Sequence, residues 1–200
     1  EYLVEGCNTG TVTFSRLFAT PLSQDVTFSV NGSATNGEDY LPQIGNVPAG
    51  QNQTIVIPAN EQSVSFDLNA LVDGITEGQE YITIKLNNPF CNGPEVIDSI
   101  NFYIYDQLEV DLFPNASTIC VGQCVDLEGT SSVLGVGTFE WSSNVSDGTI
   151  LTPSICPSEP ALVTFTVTAG ECSATDSLQI NFSNIEVALT TENALCPSSA

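Results

Sequence analysis

The chain has 200 residues, 42% of them hydrophobic, with 24 acidic residues against 2 basic ones and no histidine, a formal charge of −22. That balance argues against nucleic acid, since nothing neutralises phosphates, and against a polybasic membrane patch; the lack of histidine removes Ser-His-Asp and Cys-His catalysis, His-ligated zinc and the commonest general base. The apolar content suffices for one large β domain or two of ordinary size, no apolar run approaches the ~18 residues of a spanning helix, and the natural counter-ions of so acidic a surface are divalent cations.

In chain order, short segments alternate apolar and polar residues with period two, the pattern of half-buried strands. TVTFS (11–15), DVTFSV (25–30), TIVI (54–57), SVSFDL (63–68), YITIKL (81–86) and SINFYIY (99–105) form a first set, divided by turn-forming clusters such as NGSATNGED and DGITEG. A boundary is expected near residues 106–108, where EVDLF opens a new alternation. CVDLEG (124–129), TFEWSS (138–143), LVTFTVT (162–168) and SLQINF (177–182) form a second set, and no segment carries a helical period. Trp141, the one tryptophan, alternates with Phe139 and is expected in the core against a disulfide, with ligand stacking as the rival role.

EVDLFPNASTIC (109–120) and EVALTTENALC (186–196) share an opening Glu-Val-x-Leu and a closing cysteine, which points to modules in tandem. The expected fold is therefore all-β: two tandem antiparallel β-sandwiches over residues 1–106 and 107–184, with residues 185–200 the first strand of a further, truncated repeat. The chain opens Glu1-Tyr2-Leu3 without an initiator Met and reads as a segment of something longer.

Seven cysteines stand at positions 7, 91, 120, 124, 156, 172 and 196. The one close pair, Cys120 and Cys124, has no second close pair to complete a zinc site, so disulfides in an oxidising, extracytoplasmic compartment are expected. Cys7 and Cys91 are the only cysteines of the first module and are expected to pair. The four of the second module allow three connectivities; the nested arrangement, Cys120 with Cys172 and Cys124 with Cys156, is the one favoured.

VEGCNTGTVTFSR, SATNGEDY, LVDGITEGQEYITIKLNNP and INFYIYD, spread in order over residues 1–106, resemble the Calx-β domain. The resemblance implies a seven-stranded immunoglobulin-like sandwich in which Glu5, Asp39, Asp73 and Asp106 converge, joined by Glu77 or Glu80, around one weak Ca²⁺ site. Single aspartates at 73 and 106, where calcium-binding members carry runs of two or three, imply few ligands. In the alternative, Asp39 caps its own turn through backbone N–H groups and Glu77 and Glu80 are solvated. A glycosidase-type carboxylate pair lacks the stacking aromatics such a cleft needs.

The second module, with TIC-x-G-x-C-V-x-L, EWSS and FTVTAGECSATDSLQI, resembles the immunoglobulin-like or PKD-like repeats of giant surface adhesins of gliding Bacteroidota. That resemblance implies export by the type IX route and display on the bacterial cell surface. Within it, Asp98-Ser99-Ile100 and Asp176-Ser177-Leu178 are similar to the Asp-Ser/Thr-aliphatic sites of O-glycosylation in such bacteria, making Ser99 and Ser177 the expected carriers. The functional expectation is a non-enzymatic structural or adhesive segment that contacts neighbouring modules of its own chain. A carbohydrate-binding module that grips surface polysaccharide, and an accessory module of a secreted enzyme, are the alternatives.

Overall fold

The computed structural model describes residues 1–42, 52–87, 96–142 and 144–183; Cys91, Cys196 and the repeat expected over 185–200 lie outside them. The protein is all-β, two tandem sandwiches of immunoglobulin-like build. The strands of the first are β1 (Tyr2–Val4), β2 (Thr9–Ser15), β3 (Gln24–Gly32), β4 (Tyr40–Pro42), β5 (Asn52–Ile57), β6 (Ser63–Ala70), β7 (Glu80–Asn87) and β8 (Val96–Tyr105). They form a five-stranded sheet in the order β1-β8-β7-β3-β5 and a three-stranded sheet in the order β2-β6-β4. Alternation determines what each strand buries: Val12 and Phe14 of β2 face inward while Thr11 and Thr13 stay in solvent. Phe14, Phe28 and Phe66 meet between the sheets with ring centroids 5.1–6.3 Å apart.

The second sandwich comprises β9 (Val110–Pro114), β10 (Thr118–Ile119), β11 (Val125–Ser131), β12 (Thr138–Trp141), β13 (Ser154–Ile155), β14 (Ala161–Ala169) and β15 (Cys172–Phe182), in sheets β10-β15-β14-β12 and β13-β11-β9. Trp141 lies in its core, packed against another aromatic ring. The ring of Phe165 lies 4.5 Å from it, Phe165 fills the space opposite Gly129, and the Trp141 indole N–H donates to the Ile150 carbonyl at 2.9 Å.

The cysteines pair differently from the expected scheme at two bonds. Cys124 and Cys156 flank the paired residues Val125 and Ile155, which sets their Cα atoms 4.1 Å apart, and they are joined. Cys7, however, bonds Cys172 across the two sandwiches, not Cys91, and Cys172 is therefore unavailable to Cys120. Position along the strands is the reason. Cys7 follows β1, which pairs with the C-terminal end of β8, the end from which the chain enters the second sandwich. Likewise Cys172 opens β15, while Cys120 follows β10, which pairs with the other end of β15. Among the described residues Cys120 is the one free cysteine, and it is exposed.

The two sandwiches share β1. Adjacent residues of a strand point to opposite faces, so Leu3 enters the first core and Val4, with no exposed surface, enters the second. Tyr2, Cys7, Tyr105 and Leu108 pack against the same second core. No helix among the described residues is long and apolar enough to cross a membrane, and the two disulfides point to an extracellular or secreted protein.

Candidate functional site at the joint between the sandwiches

The end of the first sandwich that faces the second gathers carboxylates from four segments. The turn after β3 carries Asp39. Its backbone reverses at Gly37, at φ 92°, a left-handed geometry that a residue with a Cβ rarely adopts. The Asp39 carboxylate accepts the Thr35 N–H, and its own N–H returns to the Thr35 carbonyl at 2.9 Å, so this side chain does cap its turn. The β6–β7 loop carries Asp73, Glu77 and, at the start of β7, Glu80. Asp73 accepts the Ile75 N–H at 2.7 Å. Glu5 and Asp106 follow β1 and β8, and Asp106 accepts the N–H groups of Glu77 and Gly78 at 3.2 and 3.1 Å, tying the loop to the end of β8.

These contacts leave the remaining carboxylate oxygens crowded. One oxygen each from Asp39, Glu77 and Glu80 lies within 4.8 Å of the others. Glu77 is exposed and Glu80 half-buried, and each places an oxygen close to one of Asp39. Glu5 and Asp39 retain only 4% of their surface. Burial pushes the Glu5 carboxyl up to about 7, helped by the charges of Asp73, Asp106 and Asp39 and opposed by the Gln107 N–H that it accepts. Glu80 also rises to about 7, through burial and then through its hydrogen bond with Asp39 and the charges of Asp39, Glu77 and Asp106. Glu77 is raised as well, by partial desolvation first and then by the charges of Asp39 and Asp73. The charges of Asp39 and Asp106 thus raise Glu5, Glu77 and Glu80 alike.

No basic residue relieves this crowding. The chain's two cations are Arg16 and Lys85. Arg16 spends its guanidinium at the other end of the sandwich, donating to the carbonyls of Leu22, Pro58 and Glu61. Lys85 stands in mid-strand opposite Ser29 and Ser99. Hard oxygen donors within 4.8 Å of one another suit an ion that takes its ligands at 2.3–2.6 Å, which is the calcium range. All the donors are carboxylates, so the cluster suits a hard cation and not a soft one.

Ser99 and Ser177 are both exposed and lie inside strands. Ser99 pairs with Lys85 inside β8, and Ser177 pairs with Thr164 in the middle of β15. In both, the preceding aspartate accepts the serine N–H, at 2.8 and 2.7 Å. One feature escaped sequence reading altogether. Tyr2, Tyr103 and Tyr81 occupy one register row across β1, β8 and β7, and Tyr103 and Tyr81 are 42% and 47% exposed. The first sandwich therefore does carry an aromatic strip on its outer sheet face.

No protein-family model matches the chain, and no curated protein matches it. Solved structures with a similar arrangement include the apo form of the Calx CBD1 domain, 21% identical over 53% of this chain and 88% of that one, with a TM-score of 0.39. The calcium binding domain CBD12 of CALX1.1 is 14% identical over 84% and 76%, with a TM-score of 0.41. A C-terminal 282-residue fragment of intimin, solved in complex with the intimin-binding domain of its translocated receptor, is 14% identical over 88% and 57%, with a TM-score of 0.43. At these scores the likeness carries no inference about ligand or partner.

Proposed function

We propose that the chain is a non-catalytic, stiffened segment of a secreted or cell-surface adhesive protein, whose two sandwiches act as one unit with a single weak Ca²⁺ site at their joint. The observation that carries this reading is the joint itself: Val4 of the first sandwich buried in the core of the second, with Cys7–Cys172 bonded beside it. A hinge meant to swing would not be both packed and covalently closed. The ligands would be Asp39, Glu77 and Glu80, with Glu5, Asp73 and Asp106 supplying the surrounding negative field. Affinity on the order of 10⁻⁴–10⁻³ M is expected, as for extracellular modules, which remain loaded at external calcium concentrations. The sequence resemblance supports the finer setting, a bacterial surface adhesin of Bacteroidota exported by the type IX route and O-glycosylated at Ser99 and Ser177.

Isothermal calorimetry at pH 8 tests the site. Wild type should bind one Ca²⁺ and gain thermal stability, while Asp39→Asn/Glu80→Gln should do neither; silence of the wild type at millimolar Ca²⁺ removes the metal from the proposal. The tyrosine strip favours a second reading, in which the outer face of the first sandwich stacks on a surface polysaccharide. Glycan binding lost in Tyr81→Ala/Tyr103→Ala would support it.

A further inference from the structure

The two sandwiches end alike, residue by residue. In the first, β1 runs parallel to β8 with Tyr2 opposite Tyr103 and Leu3 opposite Ile104; in the second, β10 runs parallel to β15 with Thr118 opposite Asn181 and Ile119 opposite Phe182. The hydrogen bonds repeat as well: Tyr103 N–H donates to the Glu1 carbonyl at 3.0 Å, and Asn181 N–H to that of Ser117 at 2.9 Å. Beyond the short strand the chain turns identically. The Cys7 N–H donates to the Val4 carbonyl at 2.9 Å and the Gln123 N–H to that of Cys120 at 3.1 Å. Gly6 and Gly122 take the same left-handed step, at φ 67° and 87°. An amide side chain caps each turn, with the Val4 N–H donating to Asn8 Oδ1 at 2.7 Å and the Cys120 N–H to Gln123 Oε1 at 3.0 Å.

On this superposition Leu3 corresponds to Ile119, both facing inward, Val4 to Cys120 and Glu5 to Val121. What surrounds them differs completely. Val4 has no exposed surface because it enters the core of the second sandwich, and Glu5 beside it keeps 4%. Their counterparts are bare: Cys120 is exposed and Val121 keeps 80% of its surface, with Gly122 and Gln123 exposed beside them. A free thiol next to an uncovered valine stands where the first sandwich buries its joint.

We propose that this end of the second sandwich is the docking face for a third sandwich of the same chain, the one whose opening strand is the Glu186-Val187-x-Leu189 repeat, and that Cys120 bonds a cysteine of that sandwich. The inference rests on the tandem-module reading above and adds to it the site, the partner and the chemistry of the next joint. The character of that joint differs from the first. Val121 replaces Glu5, and among the described residues only one cluster of metal-ligating side chains occurs, that of Asp39, Glu77 and Glu80. The second joint is therefore held by apolar contact and a disulfide. Forming that bond removes one proton and one electron from each of the two thiols. The acceptor is a disulfide-bearing oxidant of the export compartment, whose two sulfurs leave as thiols by exchange.

Peptide mapping of the full-length natural chain, alkylated without reduction, tests this. The expected result is a cross-linked peptide joining Cys120 to a cysteine C-terminal of Glu186, with no alkylated Cys120. Quantitative alkylation of Cys120, a bond from Cys120 to a cysteine within residues 1–183, or a bond between two copies of the chain would each overturn the proposal. A companion variant, Cys120→Ser, should leave Val121 protected from hydroxyl-radical footprinting in the full chain; a Val121 as reactive there as in the isolated two-sandwich segment would overturn the docking face itself. Failure of Ca²⁺ to bind would leave all of these outcomes unchanged, so the two proposals fail separately.

Discussion

Removing the charge of Glu5 should stabilise the protein, and only at neutral to alkaline pH. Its carboxyl is held up to about 7 in the fold against an ordinary value of 4.5. Between those two values the folded chain therefore binds more protons than the unfolded one. Stability is fully present below pH 4.5 and is lost as pH rises through about 7. At about 1.4 kcal/mol per pH unit, the loss for Glu5 amounts to about 3 kcal/mol by pH 8. Glu80 acts in the same direction, but both sense Asp39 and Asp106, so their effects do not add. Glu5→Gln keeps an oxygen to accept the Gln107 N–H and discards the charge. In chelator it should melt about 5–10 °C above wild type at pH 8 and level with it at pH 4.5. Scanning calorimetry at the two pH values measures this, and Ca²⁺ should narrow the gap at pH 8 by neutralising the same field. Equal displacement of the variant at both pH values would refute the electrostatic account and leave only a packing effect.

Cys7→Ser/Cys172→Ser opens a closure spanning 165 residues, worth about 5 kcal/mol at most on the loop-entropy model; the variant should unfold in two denaturant transitions and become sensitive to protease near the joint, and a single unshifted transition would count against covalent locking. Gly129→Ala would bring a methyl carbon to 2.7–2.8 Å from the Phe165 ring, so a loss of about 1–3 kcal/mol is expected in melts followed by Trp141 fluorescence, and unchanged stability would sink the tight-ring picture.

The long strands were legible because seven to ten residues suffice to display period two, as TVTFS and LVTFTVT do. β1, β4, β10 and β13 have only two or three residues each and show no period, yet β1 and β10 are the strands that define the joints. Cysteine pairing failed for a related reason. Spacing along the chain does not reveal which end of a strand a residue borders, and Cys172 and Cys120 lie at opposite ends of β15. The tyrosine row needed the registers of two strand pairs, Tyr2 with Tyr103 and Tyr103 with Tyr81, which no single segment encodes. The acidic residues stood out by motif, but that Asp39 both caps its turn and crowds Glu77 and Glu80 depends on how the β3–β4 turn and the β6–β7 loop meet in space.

The Cys7–Cys172 bond also decides how the molecule answers a pull. Tension arriving upstream of Cys7 crosses directly to Cys172 and leaves along β15, so the polypeptide between them is mechanically bypassed. Those 165 residues would otherwise yield roughly 550 Å of slack if drawn out. With the bond closed, these two modules add almost no length under load, even when both have melted. Only a reductant turns this inextensible link into a shock absorber.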